Sequence, residues 1–288
     1  MHKRITVIGA NGQLGHDLIK TLSKNFVAIA VNHKDLDITV LKQCKEVILS
    51  TKPNVVVNTA AYHNTVKCES FPQKAFKVNA VGAYNVAKVA NLVGASVFYI
   101  STNYVFDGTK DVYRESDRPN PLNIYGASKF AGEILTKIGN ENSYIIRTAG
   151  LFGIHPSGKG HNFITLMLAK AKRGNTIKVV NDEQTSVTYT LDLANKIGEF
   201  INKNPSFGIY HLANRGKASW FEIAKEIFKT TRLNVSISPI SSSQKLLTLE
   251  RPLKTALTSE RLKASGIQPL RSWKPALRDY IDEIKYQI

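Results

Sequence analysis

The alternation of short apolar segments with longer helical patterns constrains the fold of the first half of the chain more than any other feature. The helical patterns predict helices at about 12–23, 40–51, 73–93 and 124–138. The other segments are nearly continuously apolar, which is typical of parallel strands that helices cover on both faces. We therefore predict an α/β fold with a doubly wound parallel sheet, whose strands are Ile5–Gly9, Phe26–Val31, Val55–Asn58, Ser96–Ser101 and Tyr144–Thr148.

After residue 150 the pattern loosens and predicts an α+β arrangement. Helices are expected near 162–173, from about 191, over Ser219–Thr230 with Ser219 as the N-cap, and over Pro275–Lys285. Strands are expected near 177–181 and over Gly208–Ala213. Because a single core stops growing at about 250–300 residues, we expect a chain of 288 residues to form two unequal lobes.

Hydropathy and cysteine usage narrow the class of protein. The longest apolar stretch, Phe26–Val31, is far shorter than the ~20 residues of a membrane helix, so no membrane association is expected. Lys3 and Arg4 lead directly into a strand, so no secretory signal is predicted. Cys44 and Cys68 have no CxxC spacing, and the histidines show no metal-binding spacing. A cytoplasmic protein without a bound metal is the resulting expectation.

The net charge of +17 raises the question of nucleic-acid binding. The basic residues are scattered, however, and no three of them are consecutive. The densest group, Lys170, Lys172 and Arg173, falls in the predicted last turn of a helix, where cations suit the helix dipole. We therefore expect no nucleic-acid partner and assign the positive field to attraction of small anionic substrates.

Three glycines directly after the first predicted strand indicate a dinucleotide site. Gly9, Gly12 and Gly15 open the first helix with GxxGxxG spacing. The first two would let the backbone approach a pyrophosphate at the helix N-terminus, and the third would allow close helix packing. This context predicts a Rossmann-type sheet. The alternative is a glycine turn that serves only to reverse the chain.

The end of the second strand bears on the choice of cofactor. An acidic residue there would bind the adenosine ribose of NAD, but this chain has Asn32, His33 and Lys34. Lys34 would instead pair with a 2′-phosphate, which favours NADPH over NADH. The alternative is that Lys34 simply faces solvent.

Two Tyr-Lys pairs occur at helical spacing, Tyr84 with Lys88 and Tyr125 with Lys129. Residues four apart lie on one helix face, and an ammonium that lowers the pKa of a phenol would help it to protonate a carbonyl oxygen. Tyr84 and Lys88 lie inside a long predicted helix and are interpreted as a surface pair. Tyr125 begins a helix after a proline loop and follows a strand that ends in Thr102, so this pair is the candidate site.

These motifs together resemble the extended short-chain dehydrogenase/reductases, and specifically the dTDP-4-dehydrorhamnose reductase family. The likeness spans nearly the whole chain. Its clearest blocks are GANGQLG at 9–15, LDIT at 36–39, NTAAY at 58–62, VNAVGAYNVA at 78–87, STNYVFDG at 101–108, NIYGASK at 123–129, RTAGLFG at 147–153, TYTLDLA at 188–194 and GIYHLAN at 208–214.

The resemblance implies a role for individual residues. Thr102, Tyr125 and Lys129 would be catalytic, with Tyr125 as the proton donor, Lys129 also holding the nicotinamide ribose and Thr102 orienting the substrate carbonyl. The other cofactor residues would be Gly9, Gly12, Gln13, Leu14 and Gly15 at the pyrophosphate, Asp37 and Ile38 at the adenine, and Ala60, Ala61 and Tyr62 at the mid-section. Asn103, Asn162, Trp220 and Arg251 would bind the sugar nucleotide.

The resemblance also implies an activity and a domain division. The activity would be NADPH-dependent reduction of the C4 ketone of a nucleotide-linked 6-deoxysugar, with NADH as the alternative cofactor. Residues 1–150 with about 186–211 would form the NAD(P)-binding Rossmann domain, and about 151–185 with 212–288 the substrate-binding lobe. A homodimer is the expected assembly.

Several positions depart from the family pattern. The family has STDYVF where this chain has Asn103, and its TAVDKAE loop carries His63 and Val66 here. Its QxGxPTY motif is replaced by the segment that starts at Glu183 and ends at Tyr189. Two rival interpretations stay open: a sugar-nucleotide epimerase or dehydratase, and a regulatory subunit similar to the β subunit of methionine adenosyltransferase. The intact Thr102, Tyr125 and Lys129 favour an enzyme, and Asn103 in place of an acid favours reduction.

Overall fold

The computed structural model of the protein describes residues 2–156, 160–174, 176–244 and 249–285. Its strands are β1 Arg4–Ile8, β2 Val27–Val31, β3 Val55–Asn58, β4 Ser96–Thr102, β5 Ser143–Thr148, β6 Leu151–Phe152, β7 Ile177–Val180, β8 Gln184–Thr185, β9 Thr188–Tyr189, β10 Gly208–His211, β11 Ala218–Ser219, β12 Ile237–Ile240 and β13 Lys254–Thr255. The seven predicted strands, β1 to β5, β7 and β10, are present within two residues of their predicted bounds, and the other strands of the described residues were not predicted.

The central sheet has six strands in the order β10-β5-β4-β3-β1-β2, and all neighbours are parallel. The chain leaves β1 for β2 on one side and returns to β3 on the other, which makes the gap between β1 and β3 a topological switch point. Ligands of open α/β sheets bind outside the carboxyl ends of the strands at such a point. The predicted doubly wound parallel sheet is confirmed.

Helices cover both faces of this sheet. Apolar side chains of the first and eighth helices, among them Leu18 and Phe200, pack on one face, and Ile48 and Val89 pack on the other. The α-helices are α1 Gln13–Leu22, α2 Leu41–Thr51, α3 Thr65–Ser70, α4 Pro72–Phe76, α5 Ala83–Leu92, α6 Ile124–Gly139, α7 Phe163–Ala171, α8 Thr190–Lys203, α9 Trp220–Thr231, α10 Arg261–Ala264 and α11 Trp273–Ile284.

One predicted helix is three elements in the structure. Instead of a continuous helix over 73–93, α4 and α5 are separated by a π-helix at Lys77–Gly82. Pro72 lies at the predicted helix start, where its missing N–H costs nothing. The π-helix buries Asn79, Ala80 and Gly82 and leaves Val81 exposed, so it does not follow the apolar pattern from which one continuous helix was predicted.

A second apolar cluster is built from the later chain. Phe152, Tyr189, Ile227, Trp273 and Tyr280 are among its buried members. It packs around the small sheets β11-β8-β13 and β12-β7. Ser219 caps α9 as predicted, with a reciprocal bond from the side chain of Glu222. The domain boundaries proposed from the sequence stay a prediction.

Within the described ranges, none of the helices combines the length and the apolar character that crossing a membrane requires.

Gly15 is held against the turn that follows β1, and this contact can be tested. A Cβ at Gly15 would lie 2.2 Å from the carbonyl oxygen of Gly9 and 2.7 Å from Cα of Ala10. We expect Gly15→Ala to lower the free energy of unfolding by roughly 1–3 kcal/mol, because the backbone of the turn must move. Urea denaturation followed by circular dichroism would measure this change.

Gly198 in α8 is the matched control. A Cβ there would meet only Leu22, at 3.5 Å. Gly198→Ala should therefore leave stability unchanged or raise it by up to about 1 kcal/mol through helix propensity. Equal changes in the free energy of unfolding of the two variants would show that the close approach at Gly15 does not affect stability.

Candidate active site

The carboxyl ends of β1, β3 and β4 open onto a cavity of about 610 Å³. It extends from the start of α1 to the aromatic residues of α7 and α9. The structure thereby brings together predicted residues from both halves of the chain. Those that line the cavity are Gly12, Gln13, Leu14, Ala61, Thr102, Asn103, Tyr125, Lys129, Asn162, Trp220 and Arg251.

The glycine turn presents the N-terminus of α1 to this cavity. Gly9 has a φ of +80°, and a Cβ there would lie 2.6 Å from Oγ1 of Thr59, so only glycine fits without strain. Gly12 is the N-cap of α1, makes no side-chain cap, and no acidic residue occupies the first turn. The N–H groups at this helix start are therefore free of a capping side chain within α1 and carry the positive end of the helix dipole, which suits an anion.

The predicted adenine-side residues lie together after β2 and outside the cavity lining. Gly9 N–H donates to the carbonyl of Val31, which places this end of β2 beside the glycine turn. Lys34 is exposed in the following turn. Asp37 accepts a hydrogen bond from the backbone N–H of Thr39 at 2.9 Å, which lowers the pKa of its carboxyl. Ile38 is buried.

The segment Ala60–Tyr62 follows β3 and is fixed by Asn79 of the π-helix. Asn79 Oδ1 accepts from the backbone N–H of Tyr62 at 2.8 Å, and Asn79 Nδ2 donates to the carbonyl of Tyr62 at 3.1 Å and to Oγ of Ser128 at 2.9 Å. Asn79 thus ties this segment to α6. Sequence reasoning did not single it out, although it lies inside one of the family blocks.

Tyr125 and Lys129 point into the cavity from the first turns of α6. Asn123 caps this helix by accepting from Gly126 N–H at 2.9 Å. The ring of Tyr125 lies edge-to-face against Tyr104, with centroids 5.9 Å apart, and the side chain of Thr102 is near enough to the phenol to oppose the rise of its pKa. The predicted meeting of the Tyr-Lys pair with Thr102 is therefore present in the structure.

Lys129 is fully buried against an aromatic ring. Its Nζ lies 4.0 Å from the ring centroid of Tyr99, a cation–π distance, and only 2% of the residue is exposed. The hydroxyl of Tyr99 donates to the carbonyl of Asn79 at 2.8 Å. Tyr99 is thus a fixed platform beneath the amine.

Burial shifts both pKa values in a direction that the sequence did not indicate. It raises the pKa of Tyr125 to about 12, against the opposing effect of the hydrogen bond with Thr102. It lowers the pKa of Lys129 to about 7, against the attraction of Glu133. The expectation that Lys129 lowers the pKa of Tyr125 is therefore wrong for this structure, because the cost of burying phenolate is the larger effect.

Glu133 lies one helical turn beyond Lys129 and makes a buried ion pair. Its carboxylate accepts from Arg147 Nε at 2.9 Å and Nη2 at 2.7 Å, and from Ser101 Oγ at 2.5 Å. Glu133 and Arg147 are 2% and 1% exposed. Sequence reasoning missed this pair, although the four-residue spacing from Lys129 places Glu133 on the same helix face.

The amides of Asn103 and Asn162 are bonded within the protein. Asn103 Nδ2 donates to Oγ1 of Thr185 at 3.0 Å and to Oγ1 of Thr255 at 2.8 Å. Asn162 caps α7 and donates to the hydroxyl of Tyr280 at 2.8 Å. Both residues line the cavity, but these contacts are structural. Their proposed role in substrate binding stays a prediction.

The remaining lining gives the cavity an aromatic and cationic far end. The ring of Trp220 lies 4.7 Å from that of Phe163. The exposed Lys170 and Lys178 also line this end, whereas Arg251 lies near the phenol of Tyr104, whose ring packs on Tyr125. Among the described residues, no group of three or more His, Cys, Asp or Glu is placed to hold a metal ion.

The second Tyr-Lys pair is a surface pair, as predicted. Nζ of the exposed Lys88 lies 5.6 Å from the ring centroid of Tyr84 on α5, outside the cavity lining.

A parallel doubly wound sheet with a glycine turn and, at its carboxyl edge, a Tyr-Lys pair whose lysine is buried defines a Rossmann-type oxidoreductase of the short-chain dehydrogenase/reductase class. Comparison with known proteins gives the family. The family model described as "RmlD substrate binding domain" matches residues 3–286, so the chain belongs to this family.

Individual relatives match the chain over nearly its full length. The chain is 35% identical to the spore coat polysaccharide biosynthesis protein SpsK of Bacillus subtilis, covering 97% of each chain. It is 34% identical to dTDP-4-dehydrorhamnose reductase of Mycolicibacterium smegmatis, covering 98% of this chain and 86% of the relative. A crystal structure of dTDP-4-dehydrorhamnose reductase from Bacillus anthracis in complex with NADP has a TM-score of 0.94 and 36% identity, covering 98% of this chain and 100% of that one.

The lowered pKa of Lys129 has a consequence for stability. Its pKa falls from 10.5 to about 7 on folding, so the native state binds fewer protons than the unfolded state between these values. Stability therefore rises with pH across this window. We expect the free energy of unfolding of the native protein, relative to Lys129→Met, to increase by up to ~1.4 kcal/mol per pH unit between pH 7 and 9.

Urea titrations at several pH values without added dinucleotide would measure this difference. Lys88→Met is the matched control, because Lys88 is exposed. The free energy of unfolding of this variant should change with pH in the same way as that of the native protein. A constant difference between the native protein and Lys129→Met across the window would contradict the burial argument.

Proposed function

We propose that the protein uses NADPH to reduce the C4 ketone of a nucleotide-linked 6-deoxy-4-ketosugar, with dTDP-4-dehydro-L-rhamnose as substrate and dTDP-L-rhamnose as product. The observation that carries the proposal is that Thr102, Tyr125 and the buried Lys129 line one cavity at the carboxyl edge of the sheet. The names of several relatives support the same reaction.

The residues present fit a nicotinamide dinucleotide. The uncapped start of α1 and the close approach at Gly9 form a cradle that side chains would fill. Lys129 would hold the nicotinamide ribose, and the bound cofactor would supply the hydride. The remaining cofactor residues would be Gly9, Gly12, Gln13, Leu14 and Gly15 at the pyrophosphate, Asp37 and Ile38 at the adenine, and Ala60, Ala61 and Tyr62 at the mid-section.

Tyr125 would supply the proton that completes the reduction. Thr102 and Tyr125 share the substrate oxygen, and the proton moves from the phenol to that oxygen as the carbonyl carbon becomes tetrahedral. The phenol is protonated at neutral pH, and the side chain of Thr102 opposes the rise of its pKa to about 12 that burial causes. The cation–π contact of Lys129 with the ring of Tyr99 keeps this part of the cavity wall in place.

The far end of the cavity suits the nucleotide. Trp220 and Phe163 offer aromatic faces for a base, and Lys170 and Lys178 offer cations for a diphosphate. The large positive net charge would raise the local concentration of such an anion.

The two rivals fit the site less well. A regulatory subunit would not need Thr102, Tyr125 and Lys129 together in the lining of one cavity. A dehydratase would be expected to carry an acid pair after the threonine, whereas Asn103 donates from its amide to Thr185 and Thr255 and Tyr104 follows. Reduction is therefore the activity that this geometry favours.

Replacement of the phenol tests the proton donor. Positioned general-acid catalysis contributes ~10²–10⁴ in rate, so Tyr125→Phe should lose about this factor in kcat and retain its NADPH affinity. Steady-state turnover with dTDP-linked 4-keto-6-deoxysugars, followed by loss of NADPH absorbance, would measure kcat. Tyr84→Phe in the surface pair is the control and should keep full activity. A Tyr125→Phe enzyme with native kcat would refute the assignment.

Replacement of Lys34 tests the choice of cofactor. Lys34 is exposed, so its pairing with a 2′-phosphate would contribute only about 0.5–1 kcal/mol, or roughly two- to fivefold in NADPH affinity, and would weaken with salt. Calorimetry should show this loss for NADPH and none for NADH in Lys34→Ala. Lys52→Ala, an exposed lysine at the opposite end of the sheet, is the control. Equal affinity of the native protein for NADPH and NADH would contradict the pairing of Lys34 with the 2′-phosphate.

A further inference from the structure

The residue after Thr102 carries a buried amide whose orientation is fixed by the strands that face it. Nδ2 of Asn103 donates to Oγ1 of Thr185 at 3.0 Å, to Oγ1 of Thr255 at 2.8 Å and to the carbonyl of Thr255 at 3.2 Å. All three residues are buried. A carbonyl oxygen can only accept hydrogen bonds, so the nitrogen of the amide, and not its oxygen, must face β8 and β13.

The two threonine hydroxyls are turned so that they accept from this amide. The hydroxyl of Thr185 donates to the carbonyl of Ser186 at 3.0 Å, and the hydroxyl of Thr255 donates to the carbonyl of Gln184 at 3.4 Å. Because a hydroxyl has one proton, each oxygen is left to accept from Asn103. In the family pattern quoted above, position 103 is an acid and position 185 a glycine, so this chain departs from the pattern at both ends of one hydrogen bond.

The other end of the same amide holds the hydroxyl of Thr102. Since its nitrogen faces β8 and β13, Asn103 presents Oδ1 to Thr102, whose hydroxyl donates to it at 3.3 Å. The backbone N–H of Tyr104 donates to Oγ1 of Thr102 at 3.2 Å. The hydroxyl of Thr102 is therefore held between an acceptor and a donor, and these bonds restrain rotation of its side chain.

We propose that Asn103 is a positioning residue for the reduction, and that its amide, held by Thr185 and Thr255, fixes the hydroxyl of Thr102 in the cavity that Tyr125 also lines. Both ends of the amide are occupied within the protein, so Asn103 acts through Thr102 and not on the sugar. Docking of the small sheet β11-β8-β13 on the end of β4 then sets the position of the Thr102 hydroxyl. This inference rests on the proposed function for the role of Thr102.

A double-mutant cycle tests whether Asn103 acts through Thr102. Asn103→Ala should lower kcat by roughly ten- to a hundredfold, because the buried Thr102 hydroxyl loses its acceptor, and should keep the native NADPH affinity. In the background of Thr102→Val, which keeps the shape of the side chain, the same change should lower kcat by less than about threefold. Turnover of dTDP-linked 4-keto-6-deoxysugars measures kcat, and calorimetry measures NADPH affinity. Losses in kcat that simply multiply would overturn the proposal.

Replacement by an acid gives a readout that a purely structural role would not move. In Asn103→Asp, burial beside the carbonyl of Thr255 should raise the pKa of the introduced carboxyl above its usual ~3.9. Below that pKa the neutral acid can donate as the amide does, whereas above it the carboxylate has no proton and is repelled by the carbonyl. The kcat of Asn103→Asp relative to native should therefore fall by roughly tenfold between about pH 5 and pH 8. A ratio that is constant with pH would overturn the proposal.

Asn140→Asp is the matched control for this pH dependence. The amide of Asn140 is also buried, donates to the carbonyl of Ala95 at 2.9 Å and accepts from the backbone N–H of Asn142 at 2.9 Å, but it lies outside the cavity lining. Its kcat relative to native should stay constant over the same pH range. An equal fall in both variants would trace the effect to buried acids in general and overturn the assignment to Thr102.

Urea unfolding separates this inference from the proposed function. The losses in free energy of unfolding caused by Asn103→Ala and Thr102→Val should be non-additive, whether or not the protein reduces a sugar nucleotide. A protein with this coupling but no turnover would refute the reduction and leave the hold of Asn103 on Thr102 standing. Turnover with independent losses would refute the inference and leave the reduction standing. If Asn103→Ala does not fold, the pH dependence of Asn103→Asp decides the outcome.

Discussion

The buried ion pair between Glu133 and Arg147 is the interaction on which the geometry of the site depends. It joins α6 to β5, and the bond from Ser101 adds β4 to the same carboxylate. Because Lys129 lies one turn before Glu133 and Tyr125 two turns before it, the pair fixes the rotation of α6 over the sheet edge. Loss of one partner would leave an unpaired buried charge, which typically costs about 3–5 kcal/mol. Hydrophobic packing alone would hold α6 less specifically.

A second polar contact joins the later chain to that edge. Asn103 follows Thr102 directly, and its amide bonds to β8 and β13. The cavity therefore has one wall from the parallel sheet and one from the small sheet β11-β8-β13, with a single side chain setting their separation near Thr102. This arrangement explains why residues from widely separated parts of the sequence, such as Tyr125 and Arg251, line one cavity.

The sequence predicted the parts of the structure that rest on periodicity and on glycine geometry. The parallel strands, the helix that carries Tyr125 and Lys129, and the close packing at Gly15 all follow from local patterns. The π-helix at Lys77–Gly82 does not, because it buries Asn79 and exposes Val81 against the apolar pattern. The partners of Asn103 and Asn162 also escaped prediction, since an amide's hydrogen bonds depend on residues distant in the chain. Glu183 was visible only as a departure from the family motif.

The direction of the pKa shifts was the least predictable feature, because it reflects burial and not pair spacing. A phenol whose pKa is raised to about 12 holds its proton more tightly than a free phenol does, whereas positioned acid catalysis is most effective when the pKa of the donor lies near the operating pH. The side chain of Thr102 opposes the effect of burial at Tyr125, so it is placed to ease release of that proton in the proposed reduction.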